Sequence, residues 1–186
     1  MTDLPVEQVL LESIAQVERL GISYAVMGGF AARAWGLPRP TFDADIAVAV
    51  DAAGLQRLLA ALEAAGFDVP PEHRAGFLDT IGELEKVKVT RFVARHVWST
   101  DLFIVRGAFL NSALSRAVSA MIGGKPVRVM TAEDLILLKL MAHRRKDLAD
   151  IEDIISGCPT LDERYLRVWA AKLDVANRLA EFLPRG

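Results

Sequence analysis

The sequence is poor in the residues that mark several protein classes. Cysteine occurs once, at Cys158, in 186 residues. That excludes a disulfide framework and points to a reducing compartment. Histidine occurs three times, at His73, His96 and His143, without the spacing of zinc ligands. No run of roughly 18 apolar residues exists, so no membrane-spanning helix and no membrane partner are expected. The first residues, MTDLPVEQ, lack the basic-then-apolar order of a signal peptide. A cytoplasmic protein is therefore expected. Internal repeats and low-complexity tracts are absent. Charge of one sign is lacking too: 22 basic residues face 24 acidic ones, a net charge of −2. That balance argues against a uniformly basic nucleic-acid binder, yet it averages over unlike regions. Between Lys86 and Arg128 there are eight basic side chains, and Asp101 is the lone acid. Such a segment attracts polyphosphate or RNA locally. What is present, 52% hydrophobic and 25% charged residues, is ordinary globular composition. The length suits one domain, or one with a short appendage.

Periodicity sets an order of elements. Thr2 and Asp3 are placed to cap a helix starting at Pro5 and ending at Gly21, with Val6, Val9, Leu10, Ile14, Val17 and Leu20 on one face. Ser23 to Met27 reads as a strand, Gly28-Gly29 as a turn before a short helix to Trp35, and Gly36 to Pro40 as a loop. Asp43 to Val50 alternates as a strand. Asp51 caps a helix that stops at Gly66. The stretch from Phe67 to Glu85 carries no clear period. Val87 to Ala94 and His96 to Val105 read as paired strands, Phe109 to Ile122 as a helix, Gly123-Gly124 as a turn, and Pro126 to Met130 as a strand. Thr131 caps Ala132 to His143, with Asp134 placed for a capping box. Asp147 to Ser156 and two short stripes after Tyr165 complete the helices. The order predicts an α/β fold of the α+β type: a small mixed sheet flanked by helices over 1–130, with a helical tail, 131–186, packed on it. Trp35, Trp98 and Trp169 read as core or interface residues.

Three features carry possible chemistry. Gly28-Gly29 lies between a strand and a helix, where small residues let a phosphate approach backbone N–H groups. A plain tight turn accounts for the pair as well. Thirteen residues further on stand Asp43-Ala44-Asp45. Positions i and i+2 of a strand share a face, so the two carboxylates are neighbours and repel. A hard divalent cation such as Mg²⁺ relieves that conflict; a solvated acid pair at a strand edge fits equally. Asp101 interrupts the apolar strand after Val97 and needs a partner, either a bound cation or Arg91 or Arg106. If its strand neighbours that of Asp43, three carboxylates converge, as a two-metal phosphoryl-transfer site requires. In the tail, Lys139, His143 and Lys146 share one face at i, i+4 and i+7, a basic face that suits a triphosphate or is simply solvated. Gly123-Gly124-Lys125-Pro126 lacks the spacing of a Walker loop.

Tyr24-Ala-Val-Met-Gly-Gly with Arg39-Pro-Thr-Phe-Asp-Ala-Asp-Ile46 resembles the first motif of the DNA polymerase beta-like nucleotidyltransferase superfamily. The stretch from Thr131 to Ile151 is similar to the C-terminal helices of small bacterial members, including the AbiEii-type toxin group. The resemblance implies that Gly28 and Gly29 contact nucleotide phosphates and that Asp43 and Asp45 bind Mg²⁺. It implies that Asp101 completes the metal site as catalytic base and that Lys139 steadies the triphosphate. Asp147 matches the acidic residue of the following motif, with Asp150 beside it. The implied reaction moves an NMP from an NTP, such as ATP, to a hydroxyl. The acceptor is a tRNA end or other RNA in a toxin–antitoxin setting, or a small molecule such as an aminoglycoside or lincosamide. A module that binds NTP without turnover, or one that pairs with an antitoxin protein, is the alternative.

Overall fold

The computed structural model describes residues 5–36, 40–81 and 84–183. The first helix, α1 (Pro5–Arg19), buries Val6, Val9, Leu10, Ile14 and Val17, as its periodicity demands, but Leu20 of the expected stripe falls past the helix end and is exposed. The caps expected at Thr2 and Asp3, and part of the loop before Pro40, lie outside the described residues. Strand β1 (Tyr24–Met27) runs directly into α2 (Gly28–Trp35), so the glycine pair is the first turn of the helix rather than a separate connection. Strand β2 (Asp43–Val48) leads to α3 (Ala52–Ala64), which Asp51 caps by accepting from the Gly54 N–H at 2.6 Å.

The segment without a clear period holds a single turn, α4 (Pro71–Arg74), and the edge strand β3 (Asp79–Ile81). Strands β4 (Leu84–Val93) and β5 (His96–Ile104) form a hairpin whose turn residues, Ala94 and Arg95, both have positive φ.

One expectation fails here. Phe109 to Ile122 is not one helix: α5 (Gly107–Arg116) ends, and Val118–Ile122 is strand β6. It pairs antiparallel with β7 (Lys125–Val129) across Gly123 and Gly124, whose φ values are 53° and 73°. Two consecutive positive φ angles make a turn that matches strand twist, and the alternating Val-Ser-Ala-Met-Ile then follows the hairpin rather than the helix.

Among the described residues, seven strands form one sheet in the order β3-β4-β5-β2-β1-β7-β6. Strands β2 and β5 are parallel, as are β1 and β7; the other neighbours are antiparallel. This is the mixed sheet with flanking helices that the element order predicts. Helix α1 covers one face, where Ser13 Oγ lies 3.1 Å from Thr100 Oγ1.

The chain then continues through α6 (Ala132–Ala142), α7 (Arg145–Gly157), α8 (Glu163–Lys172) and α9 (Ala176–Phe182). Every residue of α6 from Ala132 to Leu140 is buried, with α2, α7 and α8 packed around it. Thr131 takes the Asp134 N–H as an N-cap. The Asp134 carboxylate accepts from the hydroxyls of Thr131 (2.8 Å) and Tyr165 (2.6 Å), which anchors α8 to α6. His143, at φ 49°, closes α6 in the left-handed region. The continuous basic face from Lys139 to Lys146 is therefore broken, because Lys146 belongs to the next helix.

Candidate active site

The carboxylates meet through strand register. Asp43 and Asp45 lie two residues apart on β2, and Asp45 is paired with Asp101 across the parallel β2–β5 ladder. All three line one cleft of ≈ 300 Å³, together with Gly28, Gly29, Lys139, Arg144 and Asp147. Gly28 has a φ of +61°, and a Cβ there would collide with the Asp45 carboxylate. The helix start is thus packed directly against the acid. Gly29 abuts Thr41, whose hydroxyl lies 3.3 Å from Asp43 Oδ1. Met27, the N-cap of α2, has no side-chain cap bond, and the first N–H groups of a helix have no partner within the helix itself.

Burial, with the negative charges of Asp43 and Asp101 added, pushes the Asp45 carboxyl up to about 7, against the opposing pull of Lys86 and Arg144. Asp101 is buried and ion-paired, but not to Arg91 or Arg106. Lys86 Nζ donates to Asp101 Oδ2, and Lys88 Nζ stands 3.7 Å from Oδ1. Arg91 pairs with Glu12 and Arg106 with Glu85. Among the described residues, Asp101 Oδ1 finds no hydrogen-bond partner, and it is buried. Lys86 and Lys88 were not singled out in the sequence. Their alternation with Val87 and Val89 was the available signal, since it puts both lysines on the Asp101 face once the register Lys88↔Asp101 is known.

Lys139 lies within the cleft, held by Asp150 Oδ2 at 2.5 Å and Asp147 Oδ1 at 3.6 Å. Asp147 is fully buried and accepts from the backbone N–H and guanidinium of Arg144. Those bonds hold its carboxyl below the usual range in spite of burial. Arg144 keeps half of its side chain exposed at the cleft. Among the described residues, no three His, Cys, Asp or Glu side chains are grouped as a ready metal nest. Two adjacent acids, one of them with a strongly raised carboxyl, nevertheless fit Mg²⁺, which commonly takes one or two carboxylates and completes its shell with water and substrate phosphates.

The order of elements, the parallel β2–β5 pairing and the glycine turn give this chain the fold of the DNA polymerase beta-like nucleotidyltransferases. Comparisons with known proteins agree. Residues 108–180 match the model of a family described as "Nucleotidyl transferase of unknown function". The structure is similar to that of ANT(2″)-Ia in complex with adenylyl-2″-tobramycin, at 15% identity, 92% of this chain, 98% of that chain and a TM-score of 0.59. It is similar to an antigenic nucleotidyltransferase-like protein from Paracoccidioides brasiliensis, at 22% identity, 95% of this chain, 87% of that one and a TM-score of 0.58. It is also similar to the lincosamide antibiotic adenylyltransferase LnuA with lincomycin bound, at 14% identity, 83% of this chain, 98% of that chain and a TM-score of 0.53. No curated protein matches the chain. Family match and fold together indicate a nucleotidyltransferase. Among the described residues, no helix is long and apolar enough to cross a membrane.

Proposed function

We propose that this chain transfers a nucleoside monophosphate from an NTP to a hydroxyl of a small-molecule acceptor, in a cytoplasmic setting where NTP is available. The acceptor oxygen forms a bond to the α-phosphorus while the bond from that phosphorus to its bridging β-oxygen breaks. Pyrophosphate leaves with the bonding electrons, and the hydroxyl proton passes to Asp101 Oδ1, a buried oxygen with no hydrogen-bond partner among the described residues. Asp43 and Asp45 would hold Mg²⁺, with Asp101 beside them. The ion supplies charge neutralisation of the triphosphate when bound. The first N–H groups of α2, at Gly28 and Gly29, take phosphate oxygens. Lys139, set by Asp147 and Asp150, and Arg144 at the rim add positive charge. The observation that carries this reading is the register of Asp45 with Asp101 beside the Gly28 turn, in one cleft.

An acceptor of small size is favoured by the antibiotics bound in two of the similar structures. A tRNA end, other RNA or an antitoxin protein enters as an outcome of the test. The test incubates the chain with each α-labelled NTP, ATP first, and Mg²⁺, adding pooled small-molecule hydroxyl compounds or total RNA. Labelled small molecule is expected. Asp45→Ala and Asp101→Ala should each lower the rate at least about 100-fold, the scale of an electrostatic or proton-transfer group. Absence of transfer to any acceptor, with Asp45→Ala indistinguishable from the parent chain, overturns the reading. Labelled RNA alone overturns the small-molecule part.

A further inference from the structure

A second cavity, of ≈ 360 Å³, opens beside the first and shares Leu84 with it. Its walls are apolar and aromatic. Phe109 and Trp169 face it, with ring centroids 5.4 Å apart and tilted, and Met141 comes from the end of α6. Its polar lining is cationic. Lys172 Nζ sits 4.6 Å from the Trp169 ring centroid on an exposed side chain, and Arg106, also exposed, spans from Glu85 to the Val50 carbonyl. Among the described residues, no Asp or Glu lines this cavity. The first turn of α5 begins there too, and its N-cap, Arg106, offers no side-chain cap.

A hollow with aromatic walls and positive charge at its mouth selects against a polycation. The charge therefore points away from aminoglycoside-like acceptors, although ANT(2″)-Ia was seen with an adenylylated one. We infer that the second cavity seats the acceptor, and that this acceptor is a planar ring bearing a phosphate or carboxylate. The ring lies against Trp169 and Phe109, and Lys172 meets the anion, while Arg106 stays ion-paired with Glu85 at the rim. Its hydroxyl then reaches past Leu84 towards Asp101. This inference rests on the proposed transfer reaction, which it deepens by giving the acceptor a chemical class.

The test separates the two. Calorimetric titration of the full chain uses phenyl phosphate, benzoate, benzyl alcohol and benzylamine as probes, and Trp emission is followed in parallel. Phenyl phosphate or benzoate should bind at least tenfold tighter than benzyl alcohol, whichever is better naming the anion, and benzylamine should not bind. Lys172→Glu, a surface change, should weaken the anionic probes at least tenfold. Asp45→Asn should leave their binding intact, because it lies in the first cleft. Equal binding of benzylamine and phenyl phosphate overturns the inference, as does an unchanged affinity in Lys172→Glu. Nucleotidyl transfer with an unaltered acceptor KM in Lys172→Glu removes the inference and keeps the reaction. Anion binding lost in Lys172→Glu, in a chain that transfers nothing, supports the cavity's preference and removes the reaction.

Discussion

Gly28 joins backbone geometry to site chemistry. Its φ of +61° costs an L side chain about 1–2 kcal/mol, and the Cβ would press on the Asp45 carboxylate. Gly28→Ala should therefore lose at least that stability in urea unfolding and weaken NTP binding tenfold or more. The neighbouring acid makes a prediction with a definite sign. The folded-state carboxyl of Asp45 lies near 7, above its ordinary value of 3.8. The native state thus holds more protons than the unfolded one between those values, and stability falls as pH rises through that window. Allowing for partial exposure, the loss is about 2 kcal/mol. Without divalent cation, Asp45→Asn should melt with the parent chain at pH 4 and roughly 4–8 °C higher at pH 8, by calorimetry. Added Mg²⁺ should narrow that gap if the acids bind it. The Asp43-x-Asp45 spacing was legible in the sequence because i and i+2 on a strand are local geometry. The lysines that hold Asp101 were not, because they come from a different strand.

The β6–β7 hairpin shows how a turn overrides a local pattern. Phe109 to Ile122 carries enough apolar residues for one helix, but Gly123 and Gly124 both adopt positive φ and close a tight hairpin. Pairing with β7 then takes alternate N–H groups of Val118–Ile122, and the helix stops at Arg116. Replacing both glycines with alanine should cost about 2–4 kcal/mol, at 1–2 for each positive φ. Asn-Gly in their place should be close to neutral. Neither change should alter NTP binding in the first cleft, since neither glycine lines it. The other strands and most helices were readable from period and caps. The stretch from Phe67 to Glu85 was not, because a single helical turn and a three-residue edge strand are too short to show a period.

Across the molecule, the candidate site draws on β1, β2, β4, β5 and three helices, and its charge balance is a tertiary property. Lys139 is buried between Asp147 and Asp150. Lys139→Met should leave those acids with less compensating charge and destabilise the chain by about 3 kcal/mol in denaturant titration, in addition to any loss of NTP affinity. The sequence by itself determined the glycine pair between a strand and a helix, the acid pair on a strand, the single acid in a basic segment and most of the order of elements. Each of these follows from neighbours within a few residues. Tertiary structure alone decided that Asp45 stands opposite Asp101, that Lys86 and Lys88 hold Asp101, and that Trp169 lines a second cavity. Those outcomes depend on which strands pair and on where helices cross. Register and packing between distant segments leave no local period, so only the folded chain brings them together.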